Sequence, residues 1–287
     1  MTTKTFLSGT KAENNRTRLI HYLSAIIVSN FIIVNSFAFD KEQGLRAVTL
    51  EYPPYEYIDQ NEPTGAAIEI VKEAVKRTGV HTISFEFHPW NWAVSMTKLG
   101  KSDLLFNAGK NKERKRWGHY VDSTLILQKY YLFKRKDTHI TVNKQFDNVE
   151  GQSIAVRLGY LYGDGSFKQA IDNHKFGNIA YTYSTQQSVS LLLKNRVDFF
   201  VGDYDPVMHY LEKNDLLSDI DIVKQEDSID ALVVLEWPTY ILFSKKNITK
   251  TYVDEVNEAL EGMKLDGTYH SILEEFSYSD DLNGIND

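Results

Sequence analysis

Residues 92–107, Trp-Ala-Val-Ser-Met-Thr-Lys-Leu-Gly-Lys-Ser-Asp-Leu-Leu-Phe-Asn, read as a helix, a stop and a buried strand. Gly100 ends the helix, and the short apolar run Asp103–Asn107 suits a strand covered on both faces. Residues 185–202 follow the same order. A helix over Thr185–Lys194 gives way to Asn195-Arg196-Val197-Asp198, and the strand Val197–Gly202 ends at Asp203. A strand that follows a helix of this length points to crossover connections and a mainly parallel α/β sheet.

The flanking segments extend the pattern on both sides. Leu45–Leu50 reads as a strand, and Tyr52-Pro53-Pro54-Tyr55-Glu56-Tyr57 as a loop, since two prolines cannot both continue a ladder. After Gly65, Ala67, Ile70, Val71, Ala74 and Val75 share one face of a helix that Thr78-Gly79 stops. Ile83–Phe87 alternates as a strand. Another strand covers Lys129–Lys134, and near 135 the rhythm restarts with strand Ser153–Arg157 and a Gly-rich turn over Gly159–Gly165. A short helix Phe167–Asn173, strand Ile179–Tyr183, a helix opened by Asp205-Pro206, strand Tyr240–Ser244 and helix Tyr252–Lys264 complete the chain. Pro belongs in a helix's first turn, and the spacing makes Asp205 the better N-cap, leaving Asp203 free. The restart implies two α/β lobes, and a cleft between two lobes is a common place to hold a small molecule.

The ends and the composition narrow the function. Lys4, Lys11, Arg16 and Arg18 precede an uncharged stretch from Leu19 to Phe39, and Ser36-Phe37-Ala38 offers small residues before a cut. These are the three parts of a secretory signal over 1–38, with cleavage expected after Ala38. The competing reading is an uncleaved anchor, because a membrane span needs about 20 apolar residues. His21, Ser24, Ser29 and Asn30 dilute the stretch. The chain has no Cys, so neither a disulfide nor a lipid-bearing Cys at a mature N-terminus is possible. The mature product is therefore expected free in a periplasm. Losing 1–38 takes the formal charge from −7 to −10. That argues against a nucleic-acid partner, which needs a basic footprint.

Taken in order, Pro54-Tyr55, Gly65, Gly100-Lys101-Ser102-Asp103, Glu113-Arg114, Gly159, Asn195-Arg196-Val197-Asp198, Asp203 and Gly267-Thr268-Tyr269 resemble one family. It is the periplasmic solute-binding proteins of the polar amino-acid ABC-transporter type, solute-binding family 3. The likeness runs over nearly all of 45–276. It implies the type II two-lobed periplasmic binding protein fold, with a hinge of two crossing strands near 130–136 and 234–241. Lobe 1 is then 39–133 joined by 237–287, and lobe 2 is 134–236. It also implies a monomer that closes on an amino-acid-like or carboxylate-bearing ligand and delivers it to an ABC permease.

Several residues then become candidates for ligand contact. The resemblance places Arg114 as the clamp on a ligand carboxylate, a task suited to a planar guanidinium fork. The bland reading is a solvated basic turn, since Lys110, Lys112, Lys115 and Arg116 crowd around it. It places Asp203 against a ligand ammonium, the bland reading being an N-cap. Tyr52, Tyr55 and Trp90, read as strand-end loop residues, are expected to stack on the ligand, with core packing as their plain alternative. Glu51 is a weaker acid near the amine. Arg157 and Tyr160 come from lobe 2, beside a turn whose glycines let backbone amides approach an anion. One departure stands out. Amino-acid binders of the family carry a Thr about five residues before the clamp Arg, and here that position is Gly109.

Enzyme readings rank lower. There is no Cys nucleophile, no Gly-x-Ser-x-Gly elbow and no His pair at metal-binding spacing, and Gly163-x-Gly165 lacks the third Gly of a dinucleotide fingerprint. No catalytic residue, metal or cofactor is expected. Some relatives on this fold are exported cyclohexadienyl dehydratases, for which Glu51 or Asp203 would be the acid. A further alternative is a receptor that presents its ligand to a membrane sensor.

Overall fold

The computed structural model describes Met1, residues 41–160 and residues 162–278. The signal segment and its cut after Ala38 lie outside the described residues, as does Leu161 of the Gly-rich turn.

Fourteen strands are described. β1 (Leu45–Thr49) leads through a hairpin of β2 (Tyr57–Asp59) and β3 (Glu62–Thr64) into helix Ala66–Arg77. β4 (Ile83–Phe87), helix Trp90–Leu99, β5 (Leu104–Ala108), helix Lys112–Trp117 and β6 (Gly118–Tyr120) follow. β7 (Ile126–Arg135) then crosses to the second half, which holds β8 (Thr141–Val142), β9 (Ser153–Arg157), β10 (Asn178–Thr182), β11 (Phe199–Asp203), β12 (Ile220–Ile222) and β13 (Lys224–Gln225). β14 (Val233–Ser244) returns, and helices Lys250–Leu265 and Thr268–Phe276 finish the first half.

The main sheet runs in the order β10-β9-β11-β7-β14-β5-β1-β4. β1 lies parallel to β4 and β5, and β9 parallel to β10 and β11, as crossover helices demand. Antiparallel β7 and β14 join the two parallel sets. They pair from Ile126 with Thr239 to Tyr131 with Val233, and this is the hinge. It starts earlier in β7 than the resemblance implied. Pro238 lies inside β14, so a proline that argues against a strand hid the first half of this one.

Each half buries its own core. Ile70, Val71, Phe106 and Val253 belong to the first, and Leu132, Ile154, Phe167 and Phe199 to the second. Helix Ala66–Arg77 starts where Gly65 takes φ +117, and a Cβ there would sit 2.5 Å from the Tyr55 carbonyl oxygen. Only glycine serves that close approach. Two helices escape sequence periodicity. Lys112–Trp117 is Lys-Glu-Arg-Lys-Arg-Trp, with no apolar stripe, and is fixed instead by Asn111, whose Oδ1 accepts the Arg114 N–H at 2.7 Å. Thr268–Phe276 follows Gly267 at φ +86. Trp90 is the first residue of its helix, not a loop residue. Asp205 is not the N-cap of its helix: Tyr204 opens Tyr204–Lys213, Asp203 occupies the cap position without a side-chain capping bond, and Asp205 lies in the first turn. Among the described residues no helix is long and apolar enough to cross a membrane.

Candidate functional site

A cavity of about 290 Å³ lies where the two halves meet over the hinge. The first half supplies Tyr52, Trp90, Asn107, Gly109 and Arg114, the hinge supplies Gln128, Tyr130, Trp237 and Thr239, and the second half supplies Leu158, Gly159 and Tyr160. Five of these are aromatic, and the β-sheet order brings together the elements of both halves that carry them.

Arg114 sits on a helix of exposed bases, but its side chain turns inward. Lys112, Lys115 and Arg116 stay exposed while Arg114 is half-buried. Its Nη1 donates to the Gly109 carbonyl at 2.9 Å, and the guanidinium lies 5.2 Å from the Trp90 ring centre. Among the described residues it has no ion-pair partner. The bond to Gly109 and a hydrogen bond with the Tyr120 side chain leave most of the five N–H groups of the fork for an anion in the cavity.

Asp203 is treated differently. It is 1% exposed and lines a small void of about 10 Å³, which shares Tyr52, Tyr130 and Tyr160 with the larger cavity. Its Oδ1 accepts the Tyr55 hydroxyl at 3.2 Å, and the same hydroxyl lies 3.0 Å from Asp205 Oδ2. Among the described residues no hydrogen bond of good geometry reaches Asp203 Oδ2, although the nearby Tyr52 side chain and Tyr204 amide still favour the charged carboxylate. Burial, and then the neighbouring Asp205 charge, push the Asp203 carboxyl well above the usual range. An ammonium placed here would meet an acid whose second oxygen is unmatched.

The other expected residues scatter. Tyr52, Trp90 and Tyr160 line the cavity with Arg114. Tyr55 is buried at 3% exposure beneath it, reaching Asp203 rather than the cavity. Arg157 lines the small void, and its guanidinium donates to the Tyr183 carbonyl at 2.9 Å and to Thr185 Oγ1 at 3.1 Å. Glu51 is exposed and faces an outer groove, away from the cavity.

Sequence reasoning missed a polar chain behind the cavity. Glu56 is fully buried and accepts both bonds it receives from Asn107 Nδ2, at 2.8 and 3.0 Å. Burial lifts its carboxyl well above the usual range, although Asn107 and Thr49 oppose the shift. Asn107 Oδ1 in turn takes a long 3.5 Å contact from Gln128 Nε2, and Gln128 Oε1 accepts the Tyr130 hydroxyl at 3.3 Å. Asn107 adopts φ +53 at the end of β5, a conformation Asn tolerates better than most residues. A polar residue closing an otherwise apolar strand was the available signal.

Comparison with known proteins agrees with this architecture. An ABC transporter arginine-binding protein from Escherichia coli (strain K12) is 26% identical over 237 residues, covering 80% of this chain and 88% of the relative. The L-cystine-binding protein TcyA of Bacillus subtilis (strain 168) is 23% identical over 238 residues, 81% of each chain. The solved structure of an ancestral arginine-binding protein bound to arginine matches with a TM-score of 0.63 and 22% identity, covering 83% of this chain and 99% of that one. It shows the shared type II periplasmic binding protein fold. The model of the bacterial extracellular solute-binding proteins, family 3, matches residues 45–278, and the chain belongs to that family.

Proposed function

We propose that the protein is exported to the periplasm, captures an amino acid or a related small carboxylate by hinge closure, and delivers it to an ABC permease. The observation that carries the reading is Arg114, turned into a cavity shared by both halves and the hinge, without an acid of its own. The ligand carboxylate docks on Arg114, between Trp90 and Tyr52. Closure then brings Tyr160 and the second half over it, with Asp203 as the partner for an ammonium. The moving bodies are 39–133 with 237–287, and 134–236. The names of the arginine- and cystine-binding relatives support an amino-acid ligand, and the closed state is favoured only as far as the ligand binds it better than the open one. Binding leaves the ligand chemically unchanged, and the mature chain works as a monomer.

The test is a thermal-shift screen of residues 39–287, one compact unit of the chain, against amino acids, short peptides, polyamines and small carboxylates. A ligand of the native state raises the melting temperature with concentration. A hit recovered intact supports capture. A hit that is consumed moves the reading to a dehydratase, and silence from every carboxylate sinks it. N-terminal mass analysis of secreted protein checks the cut after Ala38.

A further inference from the structure

Gly109 and Trp237 interlock. A Cβ built on Gly109 would lie 2.6 Å from Trp237 Nε1 and 2.9 Å from two of its ring carbons. The indole from the hinge strand therefore fills the space that a side chain at 109 would occupy. It does so beside Arg114, whose Nη1 reaches the Gly109 carbonyl. The Tyr120 hydroxyl donates to that same carbonyl at 2.8 Å. A carbonyl oxygen has two lone pairs, and both are taken. What remains at this end of the cavity is donors: the free N–H groups of Arg114 and the Trp237 Nε1–H, which has no partner among the described residues. A hydroxyl at 109 would both donate and accept. An indole N–H only donates.

We propose that Trp237 is the specificity-determining residue of this anion subsite, anchoring a carboxylate oxygen through its indole N–H and rejecting the corresponding carboxamide. The proposal rests on the binding reading above and names what that site selects. A carboxylate offers acceptors on every side. A carboxamide turns an NH₂ toward one of two donors and leaves one of them unmatched, which a buried site penalises. Gly109 is the permissive half of the pair, since any larger residue displaces the ring.

The test pairs titration calorimetry with ¹⁵N-edited NMR of the tryptophan indole N–H signals, Trp237→Phe assigning the relevant one. The probes are the free amino acids and, for each that binds, its α-carboxamide. The expected result is a shifted Trp237 indole signal on binding the acid, and at least tenfold weaker binding of the amide. In Trp237→Phe, which keeps a ring against Gly109, the acid should bind about tenfold more weakly and the acid-to-amide ratio should shrink. If an acid binds while the Trp237 signal stays still and Trp237→Phe keeps the parent ratio, the Trp237 assignment falls and capture stands. If neither an amino acid nor any other small carboxylate binds the parent, the capture reading fails and takes this proposal with it. Circular dichroism monitors the fold of the variant; if it does not fold, Trp90→Phe, Trp92→Phe and Trp117→Phe assign the Trp237 signal by elimination, and the NMR arm on the parent decides the matter.

Discussion

Arg114 and Asp203 are the basic and the acidic residue proposed to meet the ligand, and their surroundings differ sharply. Arg114 stands on the first half, half-buried, held by one bond to Gly109 and by the face of Trp90. Asp203 stands on the second half at 1% exposure, with one oxygen held by Tyr55 and the other unmatched. In the proposed mechanism the cationic, docking end takes the ligand's anion first, and the acidic, closing end, whose charged form burial disfavours, is relieved when the ligand's cation arrives on closure. Arg114→Ala tests the docking end and should have the largest effect. Removing one partner of a desolvated charge pair costs roughly 3–5 kcal/mol, on the order of a hundredfold or more in affinity. Calorimetry with the ligand found in the screen measures it, and the thermal melt of the unliganded variant should stay near the parent's, because Arg114 lies outside both cores. Affinity within about threefold of the parent would remove Arg114 from the site.

Asp203→Asn tests the closing end and separates ligands by charge. Ligands with an ammonium should lose roughly tenfold to a hundredfold, while acids without one should lose little. An equal loss for both classes would make Asp203 a structural residue at the start of helix Tyr204–Lys213. The same variant carries a pH signature. The folded Asp203 carboxyl is raised by burial and by Asp205, so its ionisation opposes folding. Its stabilising contribution is complete below the unfolded value near 4 and is lost as pH rises through the raised folded value. Urea melts of parent and variant across pH should show Asp203→Asn gaining on the parent as pH rises. Asp103 gives the opposite sign for comparison. Burial raises it, but the bonds from Arg46 outweigh burial and hold it below the usual range. Its contribution is present above the unfolded value and fades as the solution is acidified. Parallel pH curves for Asp203→Asn and Asp103→Asn would contradict this assignment.

The two halves were more legible in the sequence than the hinge that joins them. Crossover helices and buried strands announce themselves by period, so the strands of both parallel sets could be read from residues alone, while their order β4-β1-β5 and β10-β9-β11 came from the folded chain. Arg114 and Asp203 followed from a resemblance rather than from spacing, since a basic hexapeptide and an Asp before a helix each have plain structural readings. The hinge was harder. Pro238 disguised β14, and with it Trp237, whose relation to Gly109 exists only once β14 pairs with β5. Glu56 sat among prolines and tyrosines with nothing to show that Asn107, 51 positions along the chain, would hold its carboxylate. Glu51 and Glu56 flank the same loop, and only the folded chain tells which one is buried.

Tyr55→Phe is the smallest change and the sharpest on the difference between the halves. Tyr55 belongs to the core of the first half, yet its hydroxyl bonds to Asp203 and lies beside Asp205 on the second. That bond joins the two halves, so opening in the proposed hinge motion would break it. Its loss should leave each core intact and cost the closed state about 1 kcal/mol, roughly a fivefold shift toward the open state. One phenol proton faces two carboxyl groups, and Asp203 loses a bond that now lowers its pKa, so closure without ligand should also become more dependent on acid. The Cys-free chain permits two introduced cysteines, at exposed Lys101 and Asp172, to carry a fluorescence-transfer pair on opposite halves. The variant's unliganded distribution should move toward the longer distance, more so at neutral than at acid pH. A distribution identical to the parent's at both pH values would mean that the Tyr55 bond holds the halves together no better than water does.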